Sequence, residues 1–159
     1  MIRTGFVVPA GDHTFTRYRG VLSSSTKRRV AVIMEVAAGK FWTGDETDIV
    51  AGLSWRPGRY FNGSVDYEEN RVSLPAGDFT TQLTRVHANF QYSPDLTWTN
   101  FVQFDNESNL LGFNSRVRWT PTLNSELFLV FNESLIHRSS TLIPVFQEAP
   151  VKIEYTIRF

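Results

Sequence analysis

Cysteine is absent from the 159 residues, which removes disulfide bridges, thiolate metal sites and a thiol nucleophile together. Long apolar runs are absent too. The longest, Val30 to Met34 and Leu127 to Phe131, fall far short of the roughly 20 residues that a membrane-spanning helix needs, and no segment has a helical period. Neither sign of charge is in excess, with 16 basic and 16 acidic side chains. The clustered cations that neutralise phosphates are therefore missing, and nucleic acid is not expected as a partner. The start Met1-Ile2-Arg3-Thr4-Gly5-Phe6 lacks the basic stretch, apolar stretch and small-residue cleavage site of a secretory signal, so a mature protein, a fragment or a cytoplasmic chain is expected. The length suits one domain, 1–159, and is too short for two ordinary ones.

What the sequence has is alternation. Val86, Ala88, Phe90 and Tyr92 oppose Arg85, His87, Asn89 and Gln91; Leu111, Phe113, Val117 and Trp119 oppose Gly112, Asn114, Arg116 and Arg118. Val151, Ile153, Tyr155, Ile157 and Phe159 alternate with Lys152, Glu154, Thr156 and Arg158. Period two marks strands whose two faces differ chemically. Turn residues at Ser25-Thr26-Lys27, Arg56-Pro57-Gly58-Arg59, Ser93-Pro94-Asp95 and Pro121-Thr122-Leu123-Asn124 divide the chain into hairpins. Longer connections are expected around 39–46, 71–78, 105–110 and 138–149. The resulting expectation is an all-β, antiparallel up-and-down barrel of about ten strands, near 2–8, 12–24, 27–38, 46–56, 59–70, 78–92, 96–106, 110–120, 125–136 and 150–159. Eight strands from 27 to 159, with 1–26 as a plug or arm, is the alternative.

Alternation does not say which face points inward. A lipocalin-like barrel buries its apolar face, whereas an outer-membrane barrel turns that face to lipid and fills its interior with polar groups. The polar face here favours Arg, which suits paired networks in confined spaces. A lumen charge network is expected from Arg29, Glu35, Arg56, Asp66, Glu68, Arg85, Arg116, Arg118 and Glu154. Trp and Tyr concentrate where hydrocarbon meets headgroups, and Trp55, Tyr60, Phe61, Tyr92, Trp98, Trp119 and Phe159 gather at the tight-turn end. They predict one interfacial girdle; Phe41, Trp42, Phe79, Phe104 and Phe131 predict a second at the other end. The final Ile153, Tyr155, Ile157 and Phe159 resemble the sorting signal of bacterial outer-membrane proteins. That resemblance implies the barrel-assembly machinery as a partner during insertion, and the lipid bilayer thereafter.

Several phrases resemble the C-terminal barrel region of a large uncharacterised bacterial family, which usually carries an N-terminal family 9-like carbohydrate-binding domain and is sometimes labelled a membrane-associated hydrolase. They are Pro9-Ala10-Gly11-Asp12, Arg17-Tyr18, Gly39-Lys40-Phe41, Trp55-Arg56-Pro57, Val72-Ser73-Leu74-Pro75-Ala76-Gly77-Asp78-Phe79, Gln103-Phe104-Asp105-Asn106 and Phe128-Leu129-Val130-Phe131-Asn132-Glu133. The resemblance spans most of the chain and implies a barrel in the bacterial outer membrane, as the terminal portion of a longer parent. The chain departs from the family pattern in lacking the upstream domain, and none of the matching phrases names a reaction.

The three histidines lack metal-ligand spacing, so no metal or cofactor is expected. His87 reads as a member of the inner network. His137, near Glu133, Ser139 and Ser140, admits a Ser-His-acid arrangement, against solvated loop polarity as the plainer account. The leading expectation is an outer-membrane barrel with a structural or anchoring role, its lumen filled by side chains and without a large pore. A hydrolase with its site at the extracellular loop end, using His137, Ser139 and Glu133, is the alternative. A soluble lipocalin-like ligand-binding barrel is the third reading.

Overall fold

The computed structural model describes residues 16–122, 124–138 and 141–155. Within them the chain is strand and turn throughout, with no helix. The strands are β1 (Arg17–Ser23), β2 (Val30–Phe41), β3 (Gly44–Gly58), β4 (Phe61–Leu74), β5 (Gly77–Ser93), β6 (Leu96–Asp105), β7 (Leu110–Thr122), β8 (Ser125–Arg138), β9 (Thr141–Glu148) and β10 (Val151–Tyr155). Each of β1 to β8 pairs antiparallel with the next in sequence.

Ten strands occupy nine lanes. One edge of β8 is taken by β7 from Leu110↔Ile136 to Thr122↔Ser125, and its other edge carries β9 along Asn132–Arg138 and β10 along Ser125–Leu129. The two are halves of one lane, broken at Ala149–Pro150. The ladder is carried through the break by the Val130 N–H, which donates to the Pro150 carbonyl at 3.1 Å. Among the described residues the sheet is not closed: β1 bounds one edge and β9 with β10 the other. The strand expected near 2–8, like Ile157 and Phe159, lies outside the described residues.

Of the expected long connections, the one around 105–110 is present between β6 and β7, and the other three are corrected. Two residues, Trp42 and Thr43, join β2 to β3, and Pro75 and Ala76 join β4 to β5. The stretch expected as a loop at 138–149 is largely β9. Pro144 is tolerated there because the register shifts between Ser134 and Leu135, beside its partner Leu135, a bulge being one of the few places where a strand accepts proline.

The β6–β7 turn stops short of its neighbour. Above Leu83, the β5 edge has no strand beside it, since β6 ends at Asp105, the partner of Leu83. Asn106 takes the ladder positions instead. Its amide oxygen accepts the Gln82 N–H at 2.7 Å, its N–H donates to the Gln82 carbonyl at 3.1 Å, and its side-chain amide donates to the Thr80 carbonyl at 3.1 Å.

A soluble domain normally packs two layers around a core. Here the only buried apolar residues described are Ala31, Ala37 and Val72, and no large side chain is fully enclosed. Among the described residues the sheet is a single layer, and its apolar face has no protein against it.

Candidate functional site

Register assigns every strand residue to a face, because side chains alternate and paired residues share a side. One continuous row of partners runs Val21, Glu35, Val50, Glu68, Leu83, Asp105, Leu110, Ile136 and Ile143 across all nine lanes. This face is concave. A cleft of about 520 Å³ is lined jointly by Glu35 on β2, Asp48 on β3, Glu68 on β4, Leu83 on β5 and Gln103 on β6. The opposite, convex face carries Val32, Leu53, Val65, Val86, Val102 and Phe113, again as one row.

The concave face holds most of the ion pairs; Lys40–Asp45 and Arg71–Glu69 lie on the convex one. Glu35 accepts from Arg19 at 2.5 and 2.6 Å, Arg85 pairs with Glu68, Arg118 with Glu126, and Lys152 lies 2.9 Å from Glu154. Arg56 donates to Asn62 at 3.2 Å, and Asp66 accepts from the Ser64 hydroxyl at 3.3 Å. Arg116 shares this face opposite Thr99 and Val130, with no carboxylate at ion-pair distance among the described residues. Arg29 stands outside the strands, in the β1–β2 connection, where its carbonyl accepts the Arg56 N–H.

Sequence reading missed a well-enclosed cluster that spans four strands. Arg17 on β1 faces Gly39 on β2, which faces Glu46 on β3. A side chain at Gly39 would fall 2.2 Å from the Thr16 carbonyl and 3.0 Å from Arg17 Cγ. Without one, the Arg17 guanidinium reaches over β2, lying 3.3 Å from Glu46 and pairing with Asp48. The Asn70 amide donates to Glu46 at 2.6 Å and also to Asp48. Glu46 is only 8% exposed. The signal was present in the small residues Ala37, Ala38 and Gly39, but 39–46 reads as a connection, and the polar run Asp45 to Asp48 hides the alternation beyond it.

The convex face carries an aromatic row at the tight-turn end. Trp55 meets Phe61 edge-on at 5.3 Å between ring centres, Phe61 meets Phe90 at 5.0 Å, and Phe90 stacks on Trp98 at 5.2 Å. Tyr92 stacks on Phe90 at 6.4 Å, and Trp119 faces Leu96 in the next lane. Tyr60, in the β3–β4 turn, has Arg59 over its ring at 4.6 Å. Trp55, Tyr60, Tyr92 and Trp119 are all about half exposed. Phe90, central to this row, is placed on the apolar face by alternation but not in the expected girdle. The second girdle does not form as expected: Phe41 and Phe79 share the concave face, as their partners Gly44 and Val72 require, whereas Phe104 and Phe131 share the convex one.

Polar groups on the convex face are satisfied locally. The Trp98 indole N–H donates to the Ser115 hydroxyl at 2.8 Å, which donates to Asn100 at 2.9 Å. Glu69, 6% exposed, accepts from Tyr67, Arg71 and Gln82. At the opposite end from the aromatics, the carboxylate of Asp105 accepts the Glu107 N–H at 2.9 Å and the Ser108 hydroxyl at 2.8 Å. The Glu107 N–H, and after it the Ser108 hydroxyl, hold this carboxyl below its usual range.

The histidines make no site together. His87 lies on the concave face against Phe101, ring centres 4.5 Å apart. Glu133 and His137 share the convex face of β8 four residues apart, a separation of about 13 Å along an extended strand. A general base and its carboxylate partner need roughly 3 Å, so β8 does not bring these two together; Ser139 lies outside the described residues. Among the described residues no group of three or more His, Asp or Glu could hold a metal. Tyr155 ends β10 opposite Ser125, and Ile153 opposite Leu127 is 76% exposed. No family model, curated protein or solved structure matches the chain.

Proposed function

We propose that this chain is a membrane-spanning β-barrel of the bacterial outer membrane, with a structural or anchoring role and a lumen occupied by its own polar side chains. The observation that carries the proposal is the uncovered apolar face. Val30, Val32, Met34, Val36, Leu53, Trp55, Val65, Leu129, Val151 and Ile153 are each at least about a third exposed on the convex side, while the Arg19–Glu35, Arg85–Glu68 and Arg118–Glu126 pairs line the concave side. In water this leaves apolar surface across nine lanes unburied, an arrangement monomeric soluble proteins avoid. Acyl chains satisfy it at no such cost, and a closed sheet satisfies the backbone.

Closure needs the β1 edge joined to the β9–β10 edge. The strand expected near 2–8, added as a tenth lane, would give the even strand number usual in such barrels. A barrel of this size has little free lumen, and the pairs across it suit occupancy rather than transport. The resemblance to the C-terminal barrel region of the bacterial family points the same way.

Unboiled and boiled samples on a detergent gel provide the test. A compact species that converts to a slower one on heating, together with loss of folded protein when detergent is withdrawn, is the expected result. A preparation that stays folded and dispersed in plain buffer would refute the reading.

A further inference from the structure

The boundary between apolar and polar residues on the convex face does not run straight across the lanes. The row Ala38, Thr47, Arg71, Thr80 turns polar after β2; the row Val36, Ile49, Glu69, Gln82 turns polar after β3. The row Val32, Leu53, Val65, Val86, Val102, Phe113, Glu133, Gln147 stays apolar until β8. The row Phe61, Phe90, Trp98, Val117, Leu129, Val151 never turns polar. The row through Met34 turns polar at Thr84 and then carries Phe104, Leu111 and Leu135, three apolar side chains above the line beside the β6–β7 turn. Between the rows through Ala38 and Val32 the boundary descends by about 1.2 residues per lane. With about 3.3 Å per residue and 4.8 Å between strands, that slope is about 40°. Below the boundary, the row Val30, Trp55, Gly63, Ala88 holds the hydrogen-bonded pair Asn100 and Ser115 before returning to Phe131.

An independent feature gives a similar slope. Measured from the concave row through Leu83, β2 ends five residues away at Val30 and β8 eleven away at Ser125. The lanes are therefore staggered by about one residue each, or about 35°. The aromatic row moves in the same sense, from Trp55 through Phe61 and Trp98 to Trp119.

A plane cutting strands inclined to its normal crosses each successive lane displaced by the tangent of that inclination. We propose that the convex face meets the acyl layer of a bilayer along such a plane, with strands tilted about 35–45°. The ends of β2 to β5, bearing Lys40, Asp45, Thr47, Glu69, Arg71 and Gln82, stand outside that layer as a wall. Charge distribution selects this occupant. The Lys40–Asp45 pair at 2.8 Å and the Glu69 cluster begin where the plane passes, and a flat slab is the partner whose edge crosses successive lanes at the same inclination as the stagger of the strands. The tilt lies in the range barrels require. This inference rests on the membrane reading above and adds which residues the acyl layer touches.

The absence of cysteine permits a direct test with single-cysteine variants carrying a fluorescent label, folded into phosphatidylcholine vesicles. Ile49→Cys and Gln82→Cys lie on one row, as do Phe113→Cys and Glu133→Cys. The first of each pair is expected to be quenched by chain-brominated lipid, and the second by aqueous iodide, each at least about threefold over the other quencher. Ala38→Cys against Thr80→Cys serves if a variant of the first pairs lacks the compact gel species. Equal behaviour within every pair, with Val65→Cys quenched by lipid, would overturn the slanted boundary and leave the membrane reading standing. No lipid quenching at Val65→Cys would overturn both.

Discussion

Arg17→Ala removes the cation that bridges β1 to β3 over Gly39. Deleting one partner of a fully buried pair costs about 3–5 kcal/mol, because the other charge stays behind unpaired. Glu46 is close to that limit with a side chain 10% exposed, but Arg17 at 38% and Asp48 at 31% are partly wetted. Water thus recovers part of the loss, and the expected cost is about 1–3 kcal/mol. Adding Glu46→Gln to Arg17→Ala takes away the stranded charge while keeping an acceptor for Asn70, so the double variant should recover part of the deficit. Gly39→Ala should produce a comparable loss with every charge intact, since its Cβ would collide with the Thr16 carbonyl at 2.2 Å. Urea unfolding in lipid vesicles, followed by tryptophan fluorescence, measures all four proteins. Arg17→Ala within about 0.5 kcal/mol of the parent, or a double variant weaker than the single, would refute the clamp.

Two further outcomes follow from hydrogen bonds. Ser115→Val strips the acceptor from the Trp98 indole and the donor from Asn100, and should cost about 1–3 kcal/mol by the same unfolding assay; a neutral result would mean both groups find other partners. Asp105 has a carboxyl held low in the folded chain, so its contribution is fully present above its unfolded value of about 4 and fades as pH falls through the lower folded value. The stability gap between parent and Asp105→Ala should therefore narrow in acid below about pH 4, and a gap that is constant from pH 7 to pH 3 would contradict the turn's role.

Period-two alternation made the strands legible wherever the two faces differ. Leu111 to Trp119 and Phe61 to Tyr67 read correctly because apolar and polar side chains take turns there. The signal fades at Asp45, Glu46, Thr47 and Asp48, where both faces are polar, and the strand ends were mistaken for connections. It fails again at Leu142 to Phe146, where apolar residues lie on both faces and Pro144 imitates a turn. Individual pairings such as Arg85 with Glu68 and Arg19 with Glu35 depend on register, which alternation alone does not fix. The Arg17 clamp was invisible for the same reason, since its members come from β1, β3 and β4.

A ladder that ends abruptly invites a stranger to continue it. Where β6 gives out beside Thr80 and Gln82, Asn106 folds its amide back and acts as a stopper, using a single side chain to imitate the next rung. Any incoming chain must first evict it, so this rim can stand free in solution without recruiting neighbours. The same lock fixes how far the β6–β7 hairpin rises beside β5.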